Sequence, residues 1–175
     1  MPDQSQPTGD PSPEAEIRAF LDRHPETRTI EAFIFDLCGT AMGKRYPVED
    51  LAALYADGLQ MCAAACLLDV TGNSADPLGH GFSDGDPDAD AVAIPGTLKP
   101  VPWAQRPTAQ VMLRLLRPEE GRAPVWFEPR EVLRTIADGF ARDLGLTAVA
   151  AVELEFFLTD LERDADNRPQ PPRSP

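Results

Sequence analysis

Ile30-Glu31-Ala32-Phe33-Ile34-Phe35-Asp36-Leu37-Cys38-Gly39 sets the frame of this chain. An apolar run of that density reads as a strand buried in a core, and Gly39 marks the turn that follows. Upstream, Ser12 followed by Pro13 is a helix start, Ile17, Phe20 and Leu21 fall at helical spacing, and His24-Pro25 closes the segment. Residues 1 to 12, rich in Pro, Ser, Gln and Asp, read as a disordered leader. Downstream, Pro47-Val48-Glu49-Asp50-Leu51 opens a short helix that Gly58 ends, and a second strand is expected over Gln60 to Asp69. Further strands are expected over Thr97 to Trp103 and Ala109 to Leu116, where Val111, Leu113 and Leu115 alternate with Met112 and Arg114. Pro129 begins a helix with Val132, Leu133, Ile136, Phe140 and Leu144 as its apolar stripe and Gly145 as its stop, and Thr147 to Thr159 then reads as a strand. The pattern is that of an α+β protein.

The composition narrows the function. Within 175 residues, 29 acidic side chains face 16 basic ones, a net charge of -13 that repels phosphate backbones and anionic membranes. Nucleic acid and membrane are therefore not expected partners. The first residues carry no basic cap and no apolar run, which argues against a signal or transit peptide, and the longest mainly apolar run is too short to span a bilayer. Three cysteines, Cys38, Cys62 and Cys66, cannot form a paired framework and are expected to be free thiols in a reducing cytoplasm. If Cys62 and Cys66 lie on one strand, their Cα atoms are about 13 Å apart and out of disulfide range. From Val70 to Asp90 the chain is rich in Gly, Asp and Pro without Lys or Arg, and should be a solvated loop.

The segment with the most chemistry is Val152-Glu153-Leu154-Glu155-Phe156, two carboxylates inside an apolar run. On a strand, positions two apart share a face about 7 Å apart, so Glu153 and Glu155 point into one space. Two like charges on a buried face need a cation, and hard oxygen donors favour Mg²⁺ or Mn²⁺. An edge strand whose alternate residues face water would explain the same pattern. Other motifs fall short. Asp36-Leu37-Cys38-Gly39-Thr40 resembles the haloacid-dehalogenase signature, but Cys38 stands where that motif has its general-acid Asp. Gly39 to Lys44 has one residue too few for a phosphate loop, and Asp84-Gly85-Asp86-Pro87-Asp88 lacks the turn glycine and the final Glu of a calcium loop.

Taken in order, Asp36-Leu37-Cys38-Gly39 with Gly43-Lys44, Gly72-Asn73, Gly85-Asp86-Pro87-Asp88, Pro95-Gly96-Thr97-Leu98, Pro102-Trp103, Pro129-Arg130-Glu131-Val132-Leu133 and Glu153-Leu154-Glu155-Phe156-Phe157-Leu158 resemble the N-terminal part of the glutamine synthetase family. The branch they resemble most joins glutamate to amines such as polyamines. Met42 stands where the family usually has an arginine in its first hairpin.

The resemblance implies residues 1-26 as leader and short helix, a β-grasp domain over 27-115, and the first helix and strand of an incomplete catalytic domain over 116-175. It implies an ATP-dependent ligase that phosphorylates the γ-carboxylate of glutamate and lets ammonia or an amine displace the phosphate, assembled as a homo-oligomeric ring. ATP would be the cosubstrate and Mg²⁺ or Mn²⁺ the cofactor, with Glu153 on the nucleotide-side ion and Glu155 on the glutamate-side ion. Asp69 matches the residue that helps hold and deprotonate the incoming ammonium, although an Asp that caps its own turn fits the local sequence as well. The chain alone is expected to be inactive. The alternative is a stand-alone β-grasp interaction protein without catalysis.

Overall fold

The computed structural model describes residues 12–173; the expected leader, residues 1–11, lies outside them. The first helix, α1 (Pro13–Arg23), starts as its sequence requires: the Ser12 hydroxyl accepts the Ala15 N–H at 3.3 Å, Pro13 occupies the first turn, and the His24 N–H closes the last turn on the Phe20 carbonyl. Phe20 is buried beneath it.

The opening run forms β1 (Thr29–Phe35), in which Ile30, Ala32 and Ile34 are buried while Glu31, Phe33 and Phe35 look to the other face. It turns back antiparallel into β2 (Ala41–Pro47) in a register that sets Ile30 against Tyr46 and Phe35 against Ala41. The turn is held by Asp36, whose buried carboxylate accepts the N–H groups of Cys38 at 2.9 Å and Thr40 at 2.7 Å. Gly43 sits across from Phe33 so closely that a Cβ there would lie 2.0 Å from the Ala32 carbonyl oxygen.

A single helical turn, Val48–Asp50, leads into α2 (Leu51–Ala56), which buries Leu51 and Leu54. Then comes β3 (Leu59–Cys62), and here the sequence reading fails: the expected strand stops at Cys62, and Ala63–Leu67 winds into tight helical turns. A strand persists only where it has a partner, and β4 (Asp88–Ala93) pairs with β3 only as far as the Cys62 and Asp88 rung. The alanine run Ala63-Ala64-Ala65 has no β-branched residue to resist the turn. The strand separation inferred for Cys62 and Cys66 therefore does not apply; all three cysteines are free, with Cys66 buried and Cys38 exposed.

Two short strands, β5 (Lys99–Pro100) and β7 (Ala123–Pro124), flank the central β6 (Thr108–Arg117), which buries Ala109, Val111, Leu113 and Leu115 along one face. The sheet order is β2-β1-β6-β4-β3, with β1 parallel to β6 and the remaining pairs antiparallel. Its inner face packs with α1 and α2 into one mixed α+β core. Glu16 on α1 ties that helix to the turn after β4 by accepting the N–H groups of Gly96 and Leu98.

The last helix, α3 (Pro129–Leu144), is capped by the buried Glu128, whose carboxylate accepts the N–H groups of Arg130 and Glu131, and it ends at Gly145 with φ +65°. The strand expected over Thr147 to Thr159 does not form: the segment carries no strand, and no backbone group in it has a backbone hydrogen-bond partner among the described residues. The reason is again the partner: a β-rich sequence cannot make a ladder alone. No helix among the described residues is long and apolar enough to cross a membrane.

Candidate functional site

Asp69 lies on the surface after the Ala63–Leu67 turns, at the head of a loop that runs to β4. Its carboxylate accepts the Thr71 hydroxyl at 2.7 Å, the Thr71 N–H at 2.8 Å and the Asn73 N–H at 2.9 Å. These bonds, the Thr71 hydroxyl first, hold the Asp69 carboxyl below the usual carboxylate range. The same oxygen serves all three donors, so the other is left to face solvent or a ligand.

The loop repeats this device. Asp76 accepts the Ser83 N–H and hydroxyl, and Asp84 accepts the N–H groups of Gly81 and Asp86. Asp84 also meets His80 Nδ1 at 3.0 Å, and the hydrogen bond from His80 is the first of the causes that bring its carboxyl down to about 2. The His80 ring lies against Phe127 with centroids 4.5 Å apart and beside Trp126 at 5.7 Å, which fastens the loop to the residues leading into α3. A second anchor is Cys62, whose thiol donates to Asp86 at 2.6 Å; burial first, and then this carboxylate, push the thiol up to about 11. Asp76, Leu78 and Asp86 hold left-handed backbone, with φ of 47°, 57° and 54°. Strain of that kind, kept in place by surrounding bonds, is characteristic of loops with a task.

Glu153 and Glu155 stand in the unpaired segment after α3 and are exposed, as are Leu154 and Phe156 between and beside them. Among the described residues, no group of three His, Cys, Asp or Glu side chains could hold a metal. Their donor type fits a hard divalent cation; two carboxylates do not fill its shell of six or more oxygens. They could hold one only with donors supplied from elsewhere.

Sequence reasoning missed the buried carboxylates of Asp36 and Glu128, both committed to backbone N–H groups, and the His80, Asp84, Trp126 and Phe127 cluster. Asp36 is thereby a turn cap, which accounts for its place before Gly39 and Thr40 without a nucleophile. Nothing in the spacing of His80 and Phe127 signals their contact. A trough on the outer sheet face was missed as well. Its two cavities, about 590 and 840 Å³, share Glu31, Arg45 and the exposed Trp103 in their lining.

No protein-family profile matches the chain. Among solved structures, a Plasmodium falciparum glutamine synthetase shares its fold over 76% of this chain and 23% of its own length, with 13% identity and a TM-score of 0.56. A GmaS complex with ADP does so over 73% of this chain and 26% of its own, with 20% identity and a TM-score of 0.54. The fold is that of one part of a glutamine synthetase. In sequence, the chain is 36% identical over 160 residues to gamma-glutamylputrescine synthetase PuuA of Escherichia coli (strain K12), which covers 91% of this chain and 33% of that protein. Sequence and fold both bear out the resemblance to the N-terminal part of the glutamine synthetase family. It spans about a third of the curated relative's length.

Proposed function

We propose that this chain is the N-terminal portion of an ATP-dependent ligase that joins the γ-carboxylate of glutamate to ammonia or an amine through a γ-glutamyl phosphate. The observation that carries the reading is the 36% identity to a γ-glutamylputrescine synthetase over 91% of the chain. The order β2-β1-β6-β4-β3, with a hairpin, a helix and a parallel β1 and β6 pair, supports a β-grasp domain, placed over 27-115 from the resemblance, although β6 and β7 carry the sheet on to Pro124; the catalytic-domain start over 116-175 rests on the resemblance alone.

In this reading Glu153 and Glu155 are metal ligands for Mg²⁺ or Mn²⁺, completed by donors from the remainder of the catalytic domain. Such ions offset the charge between two anionic reactants. Asp69, ionised and with one oxygen free of its turn, attracts the ammonium form of the amine and takes a proton from it. The loop that carries it reaches a neighbouring subunit in a homo-oligomeric ring in the cytoplasm. The 175 residues alone, with two carboxylates and no third donor beside them among the described residues, do not turn over.

The test is a chimaera in which this chain replaces the matching third of the Escherichia coli enzyme, assayed for phosphate release with ATP, Mg²⁺, glutamate and ammonia or putrescine. Turnover that Glu153→Gln, Glu155→Gln and Asp69→Asn each reduce by about 100-fold or more supports the assignment. An assembled chimaera indifferent to all three substitutions refutes the roles, and turnover by the 175-residue chain alone refutes its incompleteness. A second reading, a β-grasp interaction protein without catalysis, draws on the three hydrogen bonds that commit Asp69 to its own turn. An assembled but inactive chimaera favours it.

A further inference from the structure

The turn that carries Asp69 is not packed into the sheet body. Residues 69–73 are all exposed, so the place of the Asp69 carboxylate is set by the chain on either side of it. Downstream, that chain closes on itself. The Asp69 N–H donates to the Asn73 carbonyl at 3.0 Å, and the hydroxyl of the next residue, Ser74, accepts the Asp76 N–H at 3.4 Å. Asp76 takes the N–H and hydroxyl of Ser83, and Asp84 takes the N–H groups of Gly81 and Asp86. Gly81 brings the two ends of this stretch together. A Cβ there would lie 3.1 Å from the Ser74 hydroxyl, 3.4 Å from an Asp76 carboxylate oxygen and 3.8 Å from the Ala64 Cβ, and the φ of +127° is one that glycine adopts freely. The backbone beside His80 thus rests on the residue that follows the Asp69 turn, and 69–86 is one hydrogen-bonded body.

Two side chains fasten that body to the sheet. Cys62 donates to Asp86 at its far end, and a single bond at one end leaves a hinge. His80 removes the hinge. Its ring lies on Phe127 with centroids 4.5 Å apart, and Phe127 is firm ground: it is buried, and the backbone on either side of it is held by the Val125 N–H on the Leu115 carbonyl at 2.9 Å and the Glu128 N–H on the Val125 carbonyl at 3.0 Å. Asp84 sets the angle of the imidazole. With its carboxyl brought down to about 2 it is ionised and can only accept, so His80 Nδ1 carries the proton and donates across the 3.0 Å contact.

We infer that His80 is a positioning residue for Asp69: docked on Phe127 and oriented by Asp84, its ring holds the loop 69–86 against the sheet and sets where the Asp69 carboxylate stands. What Asp69 does from there rests on the ligase reading; the dock itself does not.

Two measurements test the inference and fail separately. In the 175-residue chain, His80→Ala should accelerate hydrogen exchange at the Gly81 and Ser83 amides, and at the Asp69 and Asn73 amides of the distant turn, by about tenfold or more, while the β6 amides keep their rates. In the chimaera with the Escherichia coli enzyme, His80→Ala should raise the KM for the amine by about tenfold or more and leave those for ATP and glutamate unchanged. His80→Phe, which keeps a ring on Phe127, should recover most of both losses. Leu113→Ala, a core cavity far from the dock in sequence, should lower stability without moving the amine KM. Exchange around Asp69 that ignores His80→Ala, exchange that rises across the whole sheet, a fall in kcat with the amine KM unmoved, or no recovery by His80→Phe would each overturn the inference. A parent chimaera without turnover refutes the ligase reading instead, and hydrogen exchange then decides the dock by itself.

Discussion

Replacing glycine by alanine should have opposite effects at two positions. At Gly43 the new Cβ would lie 2.0 Å from the Ala32 carbonyl oxygen and 2.7 Å from both Cα and Cβ of Phe33. Ordinary contact begins near 3.4 Å, so β2 must retreat by roughly 1.4 Å from backbone that cannot yield. As the edge strand β2 is free to move outward, but the retreat stretches the ladder on either side of the Phe33 and Gly43 rung. Two weakened backbone bonds at about 0.5–1.5 kcal/mol each, with overpacking strain of about 1–3 kcal/mol, give a loss of about 2–6 kcal/mol. At Gly139, inside α3, the added methyl meets nothing nearer than the Arg142 guanidinium at 3.8 Å. There alanine gains about 1 kcal/mol of helix propensity. Urea unfolding followed by far-ultraviolet circular dichroism separates the two, with a lower midpoint for Gly43→Ala and greater heat resistance of helical signal for Gly139→Ala. A Gly43→Ala protein within about 0.5 kcal/mol of its parent would show that the hairpin does not close as tightly as the contact requires.

Leu113→Ala, at a fully buried position of the central strand, should cost about 2–5 kcal/mol by urea unfolding. Burial, then the nearby Glu128, push the Cys66 thiol up to about 12 from an ordinary 9.0, so the unfolded chain ionises first as pH rises. Cys66 should therefore contribute a loss of stability between pH 9 and 12, beside the loss that Cys62 contributes up to about 11, and Cys66→Ala should make the slope shallower in unfolding curves taken across that range. Asp69→Ala removes the acceptor of three bonds in an exposed turn, so hydrogen exchange at the Thr71 and Asn73 amides should accelerate by about tenfold while the global midpoint stays within about 1 kcal/mol. For Mn²⁺, titration calorimetry of the 175-residue chain should find weak binding that Glu153→Gln with Glu155→Gln eliminates; binding that survives the pair would place the ion elsewhere.

What the sequence made legible is what local chemistry decides. Ser12 and Pro13 start α1, Pro129 and Gly145 bracket α3, and the alternation of Val111, Leu113 and Leu115 gives β6 its buried face. It misled where a partner decides. Gln60 to Asp69 and Thr147 to Thr159 are both strand-like in composition, yet the first stops where β4 stops and the second has no backbone hydrogen-bond partner among the described residues. The candidate site divides the same way. The turn around Asp69 follows from Asp, Thr and Asn at close spacing, but the docking of His80 on Phe127 joins residues far apart in sequence and leaves no local trace. Glu153 and Glu155 could be singled out from their spacing because two charges in an apolar run are costly wherever they lie.

The central place of β6 has a consequence for how the protein is made. β1, β4, β5 and β7 all pair with it, and β1 does so in parallel across the stretch between Phe35 and Thr108. At synthesis rates of about 5–20 residues per second, the β1 and β2 hairpin waits roughly 4–15 s before the strand that completes its sheet is even translated. During that interval Ile30, Ile34 and the free edge of β1 are open to other nascent chains. Slowing translation between Tyr46 and Thr108 should lower the yield of soluble protein, whereas slowing it after Arg117 should not.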